Sequence, residues 1–228
     1  MFERYAIYYT AQGQLASHGA AWLGWDSADG RTVVQPDISG VDVVSITNTP
    51  RKYGFHATLK APFRLAEGAT VEALHKALVD VAHRHGPVSL NQLDLCFDHG
   101  FLSLRPVGDQ TAVRDLAGSI VRDLDPFRAP LTDEDIARRR KAPLTPCQDQ
   151  QMLTWGYPYV FEDFNFHMTL SGGLDAEVAA IAQPPLSQLV ADVLPADLTL
   201  DVLTLVGEDN AGMFHQLHRV PLSGKGSN

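Results

Sequence analysis

The 228-residue sequence predicts an α+β fold made of a duplicated strand, helix and hairpin unit. Three observations carry that expectation. The string Phe-His-x-Thr-Leu occurs twice, as Phe55-His56-Ala57-Thr58-Leu59 and as Phe166-His167-Met168-Thr169-Leu170. A helical apolar pattern and then a hairpin pattern follow each copy. The return strand of each hairpin sits at nearly the same distance from its histidine, Phe101 lying 45 residues after His56 and Met213 lying 46 after His167. Two related lobes around a pseudo-twofold axis would bring the two motif strands together in one cleft.

The elements follow in chain order. Arg4 to Thr10 is rich in strand-forming aromatics and stops at Gln12-Gly13, which reads as an opening strand. Residues 15–50 hold a Trp22-Leu-Gly-Trp25 unit and repeated Gly, Asp and Pro punctuation, so a short helix or turn and irregular loops are expected. The first motif strand runs from about Tyr53 to Pro62. Val71, Leu74, Leu78, Val81 and Ala82 then recur at helical spacing as far as His85-Gly86. Ser89 to Phe97, a tight Asp98-His99-Gly100 turn and Phe101 to Pro106 form the first hairpin.

A helical insert occupies about residues 109–163. Val113 to Leu124 has a helical pattern. Thr132 can cap a second helix whose first turn is acidic and whose last turn, Arg138-Arg139-Arg140-Lys141, is basic, as the helix dipole favours. That basic run reads either as a charged surface helix or as an anion-collecting rim above the cleft. The aromatic stretch Trp155 to Phe161 leads into the second motif strand, Phe164 to Ser171, and Tyr157 and Tyr159 are candidates for a substrate wall. Asp175 to Leu194 is helix-like, with an interruption expected at Pro184-Pro185. Leu198 to Gly207 and Met213 to Pro221 form the second hairpin. The expected organisation is thus a single two-lobed domain over residues 1–222, with motif units at about 51–107 and 164–222. Residues 223–228 are expected to form a flexible tail.

Composition limits the function. Apolar residues make up 45% and charged residues 20%, ordinary for a globular domain with a real core. No basic and apolar leader is visible at the N-terminus, nor an apolar run of membrane-spanning length, so a cytoplasmic protein is expected. The formal net charge of −9 argues against long nucleic acid, whose binding rests on many Lys and Arg contacts. Cys96 and Cys147 form neither a disulfide framework nor a zinc spacing.

The chemistry lies in the paired motifs. Among nine histidines only His56 and His167 have a Ser or Thr two residues on. In a strand, positions i and i+2 share a face, so each motif sets an imidazole beside a hydroxyl. An unperturbed pKa near 6.5 suits histidine to general base and general acid roles. Thr58 and Thr169 are then donors to phosphate oxygens, where charge sits in the transition state. If the strand stays regular, Lys60 extends the His56 and Thr58 row and adds positive charge, with Ser171 in the equivalent place of the second unit. Two histidines could begin a zinc site, but no third ligand stands at a suitable spacing, so no metal and no cofactor is expected.

At these residues the sequence resembles the two-histidine phosphoesterase superfamily, defined by two His-x-Thr/Ser motifs. Arg51 to Phe63, together with Trp155 to Phe161, is similar to the branch associated with bacterial phosphonate-utilisation operons. The resemblance implies a bilobal fold with antiparallel sheets lining a central cleft. It implies His56 and His167 as the catalytic pair and Thr58 and Thr169 as phosphate-binding hydroxyls. A metal-independent cyclic phosphodiesterase acting on a small ribose cyclic phosphate is the expectation it supports; the oligomeric state is left open by the sequence, with a monomer favoured. An RNA 2′,3′-cyclic-phosphate end-processing phosphodiesterase or ligase, and a non-catalytic phosphate-ligand binder, are the alternatives.

Overall fold

A computed structural model describes residues 2–224. The first third of the chain forms β1 (Arg4–Thr10), α1 (Gly13–Leu23), β2 (Trp25–Asp26), β3 (Arg31–Thr32), α2 (Val43–Ile46), α3 (Asn48–Arg51) and β4 (His56–Phe63). The middle forms α4 (Val71–Arg84), β5 (Val88–Ser89), β6 (Leu93–Asp98), β7 (Phe101–Pro106), α5 (Thr111–Asp123), α6 (Asp133–Arg139) and α7 (Pro146–Trp155). The last part forms β8 (Met168–Thr169), α8 (Ala176–Ala191), β9 (Thr199–Leu200), β10 (Val202–Glu208) and β11 (Phe214–Pro221).

Seven of these strands make one antiparallel sheet in the order β11-β10-β1-β4-β8-β7-β6. The expected α+β class with antiparallel pairing is what the chain adopts. The two motif strands are neighbours within one sheet. They meet at Ala57 and Met168, and the sheet is continuous through that contact.

The duplicated units exchange their hairpins. The hairpin that follows the first motif, β6-β7, pairs with β8 of the second unit. The hairpin that follows the second motif, β10-β11, pairs with β1, which in turn pairs with β4. Helices follow the same exchange, α4 packing on β10 and β11 and α8 on β6 and β7. Local pattern identifies each hairpin but not its partner, because both edges present the same unpaired backbone groups to a docking strand.

Alternation along β1 shows how the sheet divides the molecule. Tyr5, Ile7 and Tyr9 point to the main core, while Ala6 and Tyr8 join a smaller cluster with Val206 and Phe214 on the opposite face. Helix α4 buries Leu74, Leu78, Val81 and Ala82, the positions its periodicity marks. Thr70 caps that helix by accepting from the Ala73 amide at 3.2 Å. Helix α8 runs unbroken through Pro184-Pro185, where an interruption was expected. Its buried stripe of Ala179, Ala182, Leu186 and Val190 spans the prolines, and that packing outweighs the lost backbone bonds.

Helix α1 forms where the sequence suggested at most a short helix or turn. Its Trp22 donates to the Leu170 carbonyl at 2.7 Å, and nearby Trp25 donates to the Phe214 carbonyl at 2.9 Å. The two indoles therefore tie one segment to both the second motif and β11. Of the expected tail, Ser223 and Gly224 donate to the Ala82 and His85 carbonyls, and residues 225–228 lie outside the described residues. Among the described residues no helix is long and apolar enough to cross a membrane.

Helix α1 also seats Phe55, the residue before His56, directly against Gly19, leaving no room for a Cβ there. A Gly19→Ala substitution is expected to lower stability by about 1–3 kcal/mol through overpacking. Ser17→Ala, on the exposed side of the same helix, is expected to stay within about 0.5 kcal/mol. Urea unfolding of the two variants measures both, and equal midpoints would refute the Phe55 contact.

Candidate active site

The site is built on the contact between β4 and β8. Ala57 pairs with Met168 in antiparallel register. Continuing that register by one residue either way sets His56 opposite Thr169 and Thr58 opposite His167. Each histidine thus lies beside the threonine of the other motif as well as its own, and the two imidazoles occupy a diagonal. Diagonal neighbours in such a pair stand about 7–8 Å apart at Cα, enough for a phosphate between the side chains.

Both imidazoles are held in the same way. His56 Nδ1 lies 3.0 Å from the Gly54 carbonyl, and His167 Nδ1 lies 2.8 Å from the Asn165 carbonyl, in each case the residue two before the histidine. A carbonyl only accepts, so Nδ1 carries the proton in both neutral rings and Nε2 is left with its lone pair. Thr58 Oγ1 then donates to His56 Nε2 at 3.0 Å. Gly54 has a φ of 71°, a conformation that favours glycine, and a Cβ at that position would meet Ser27 Oγ at 2.8 Å. Glycine at this position is therefore part of how His56 is oriented.

The rings differ in their surroundings. His56 stacks on Tyr8 with ring centroids 3.8 Å apart, and Tyr53 lies tilted at 5.9 Å. Burial pulls its pKa down to about 4; the bond to Gly54 works against the shift and the nearby His167 adds to it. His167 leans on Phe101 with centroids 5.8 Å apart. Burial lowers its pKa too, the Asn165 carbonyl opposes this, and the charge of Arg105 on β7 adds to the lowering. Both imidazoles are therefore neutral in the free protein near pH 7.

A cavity of about 500 Å³ opens over this face. His56, Thr58 and Thr169 line its floor, with Tyr8 and Arg4 from β1. Tyr53 lines it from the segment before β4, and Arg138, Arg139 and Tyr157 line it from the insert. His167 is not among the lining residues; it stands on the neighbouring strand, diagonal to His56. Of the two tyrosines, Tyr157 lines the cavity and Tyr159 does not. Tyr159 is 39% exposed and packs edge-on against Tyr157 at 5.6 Å, outside the cavity.

Lys60 does not continue the row of His56 and Thr58. Tyr8 pairs with Thr58 while Ile7 pairs with Lys60, so Leu59 is an extra residue and the strand bulges. The bulge turns Lys60 to the face of Ile7. There it is buried and donates to the Val121 carbonyl at 3.0 Å and to Asp125 at 3.3 Å. Burial lowers its pKa to about 8 against the pull of Asp125. Ser171 does line the cavity, but its hydroxyl is committed: it accepts from the Leu102 amide and donates to the Gly172 carbonyl.

Other basic residues near the motif sort clearly. Arg51 is structural, donating to the Leu23 carbonyl and to Gln35. Arg64 and Arg138 both pair with Asp135, and Arg140 pairs with Asp149. Arg4, Tyr8 and Arg105 were not marked by the sequence. Tyr8 could have been found only from the period-two pattern of β1, once its register with β4 was known. Among the described residues no group of three or more His, Cys, Asp or Glu is placed to hold a metal ion.

The two neutral rings give a direct check. Nitrogen-resolved NMR of the imidazoles should show both in the Nδ1–H tautomer at pH 7. His56 should titrate well below the ordinary 6.5, near 4, and His167 below 6.5 as well. A His56 midpoint at or above 6.5, or the Nε2–H tautomer in either ring, would contradict the geometry.

Comparison with known proteins places this geometry in context. The chain is 36% identical over 233 residues to the ribose 1,5-bisphosphate phosphokinase PhnN of Janthinobacterium sp. (strain Marseille), covering 98% of this chain and 51% of that protein. It is 38% identical over 175 residues to the protein of the same name from Laribacter hongkongensis (strain HLHK9), covering 75% of this chain and 40% of that one. The chain thus spans about half or less of the length of the curated relatives it matches. Among solved structures it is similar to E. coli LigT complexed with 3′-AMP, at 14% identity and a TM-score of 0.45, over 98% of this chain and 99% of that one. Residues 58–215, from the first motif threonine to β11, match the family described as "Protein of unknown function (DUF1045)", and the chain belongs to that family.

Proposed function

We propose that this protein is a phosphoesterase of the two-histidine kind that hydrolyses a small cyclic ribose phosphate by paired general base and general acid catalysis, with no metal in the reaction. The observation that carries this reading is the matched pair of imidazoles. Each is fixed by an Nδ1 bond to the carbonyl two residues back and so keeps its Nε2 lone pair, which in His56 accepts from the Thr58 hydroxyl. The curated relatives, named as kinases of ribose 1,5-bisphosphate, support a phosphorylated ribose as the substrate class. Phosphonate metabolism is the context we assign to it.

In the proposed reaction a water oxygen attacks phosphorus and one ring P–O bond breaks. His56, the more strongly lowered of the two, is assigned as the base and takes the water proton at Nε2. His167, protonated as the anionic phosphate enters, is assigned as the acid and gives its proton to the leaving ribose oxygen. As substrate binds, the Thr58 hydroxyl turns from His56 Nε2 to the phosphate, and Thr58 and Thr169 donate to the non-bridging oxygens. One cyclic diester and one water become one monoester, and the two histidines exchange protonation states.

The pH dependence follows from the shifts. The base must be neutral, which for His56 holds above about pH 4. The acid must be protonated, which for His167 in the free protein holds only below its lowered value, itself under 6.5. The optimum of kcat/KM is therefore expected on the acid side of pH 6.5. Bound phosphate raises both values and shifts the kcat profile to higher pH. Assayed by phosphorus NMR with ribose 1,2-cyclic phosphate and its 5-phosphate, turnover should persist in EDTA. His56→Ala and His167→Ala should each lower kcat by about 100-fold or more. Full activity in either variant, or loss of activity on chelation, would overturn the proposal.

A further inference from the structure

The arginine run at the C-terminal end of α6 has an internal asymmetry. Arg138 is paired with Asp135 at 2.6 Å and Arg140 with Asp149 at 2.7 Å, but Arg139 between them takes part in no salt bridge among the described residues. Its Nε is buried and has no hydrogen-bond partner. Its guanidinium lies over the Tyr157 ring at 5.1 Å, and both residues line the cavity above the histidines. A buried guanidinium donor without an acceptor is costly unless something else supplies one.

The ground behind Arg139 is also positive. A narrow crevice of about 30 Å³ adjoins the cavity and shares Arg4, Arg138, Arg139 and Tyr157 with it. Six cations line it: Arg4, Lys60, Arg64, Arg128, Arg138 and Arg139. Their partners are only three carboxylates, because Asp125 is shared by Lys60 and Arg128, and Asp135 by Arg64 and Arg138, while Glu208 serves Arg4. Three positive charges are thus left over in a chain whose formal net charge is −9. Room on the order of a water or two makes the crevice too small for a phosphate, so an anion would be received in the cavity with the cations acting from behind.

Building on the phosphoesterase reading, we infer that Arg139 is a specificity-determining residue: it binds a second phosphate of the substrate, distinct from the cyclic one held over the histidines and threonines. The substrate class is then a ribose cyclic phosphate that also carries a terminal phosphomonoester. A planar fork that stacks on Tyr157 and presents parallel N–H donors suits a phosphate dianion better than a neutral hydroxyl.

The test compares ribose 1,2-cyclic phosphate with and without a 5-phosphate. The wild type should prefer the phosphorylated ring in kcat/KM, and Arg139→Gln should cut that preference by about tenfold or more, chiefly through KM. Arg139→Lys, which keeps the charge and loses the fork, should fall between. Arg140→Gln, whose parent is already paired outside the cavity, should keep the wild-type preference. A general structural defect would lower both activities and leave the ratio alone, which would overturn the inference, as would equal loss on both rings. Calorimetric binding of ribose 5-phosphate separates the two readings. If no cyclic phosphate is turned over but Arg139→Gln still loses ribose 5-phosphate binding, the catalytic reading fails and the subsite stands. If turnover is seen and the variant binds ribose 5-phosphate as the wild type does, the subsite fails and catalysis stands.

Discussion

The site rests on one short backbone contact. Strand β8 is two residues long and meets β4 at Ala57 and Met168, and this ladder step aligns both pairs of histidine and threonine. So short a strand does not hold itself in place. Its far side is paired to β7 through Ser103 with Thr169 and Leu104 with Met168. The Leu102 carbonyl takes both the Leu170 and Ser171 amides, and the Trp22 indole takes the Leu170 carbonyl. Met168, Leu170 and Phe166 are all buried in the main core. Pairing on both sides, a tryptophan clamp and apolar burial together fix a register on which a one-residue slip would turn both functional side chains into the core.

Hairpin exchange makes that contact indispensable. Were each unit complete in itself, the two halves could separate and keep their own strands. Because each hairpin completes the other half of the sheet, separating β4 from β8 would also strain the crossings that carry α4 and α8 to the opposite side. The cleft is thereby a property of the whole chain. Such non-local pairing costs loop entropy before it gains contacts, and that cost is met by the large apolar surface packed beneath the sheet.

Charge is arranged with the same economy. An acidic protein needs local positive charge to hold a phosphate, and here it comes from the insert and the ends of β1 and β4, concentrated by sharing carboxylates. Asp135 shows the limit of such sharing. Burial works to raise its pKa, but hydrogen bonds from Thr132, Arg138 and Arg64 hold it down to about 2, so it stays charged while two arginines use it. The Thr132 cap was legible as a helix start, and Asp135, the carboxylate that completes its capping box, turns out to anchor the rim of the cavity. Basic residues that look alike in a run, Arg138, Arg139 and Arg140, have three different surroundings, since a helix sends consecutive side chains about 100° apart.

Local order in the sequence determined most of the elements and the identity of the paired groups. The period-two strands, the helical spacing of α4 and α5, the capped α6, both hairpins and the repeated His-x-Thr string all depend on neighbours within a few residues. What only the tertiary structure decided depends on long-range pairing. This includes the single shared sheet, the exchange of hairpins, the bulge at Leu59 that turns Lys60 inward, the unbroken α8 across two prolines, and the place of Tyr157 in the wall with Tyr159 outside it. A bulge or a strand partner is chosen by which surfaces fit when distant segments meet, and no periodicity of the segment itself encodes it. Residues of a motif can thus be named from the chain alone, but the face they share and the charges around them exist only once the sheet has closed.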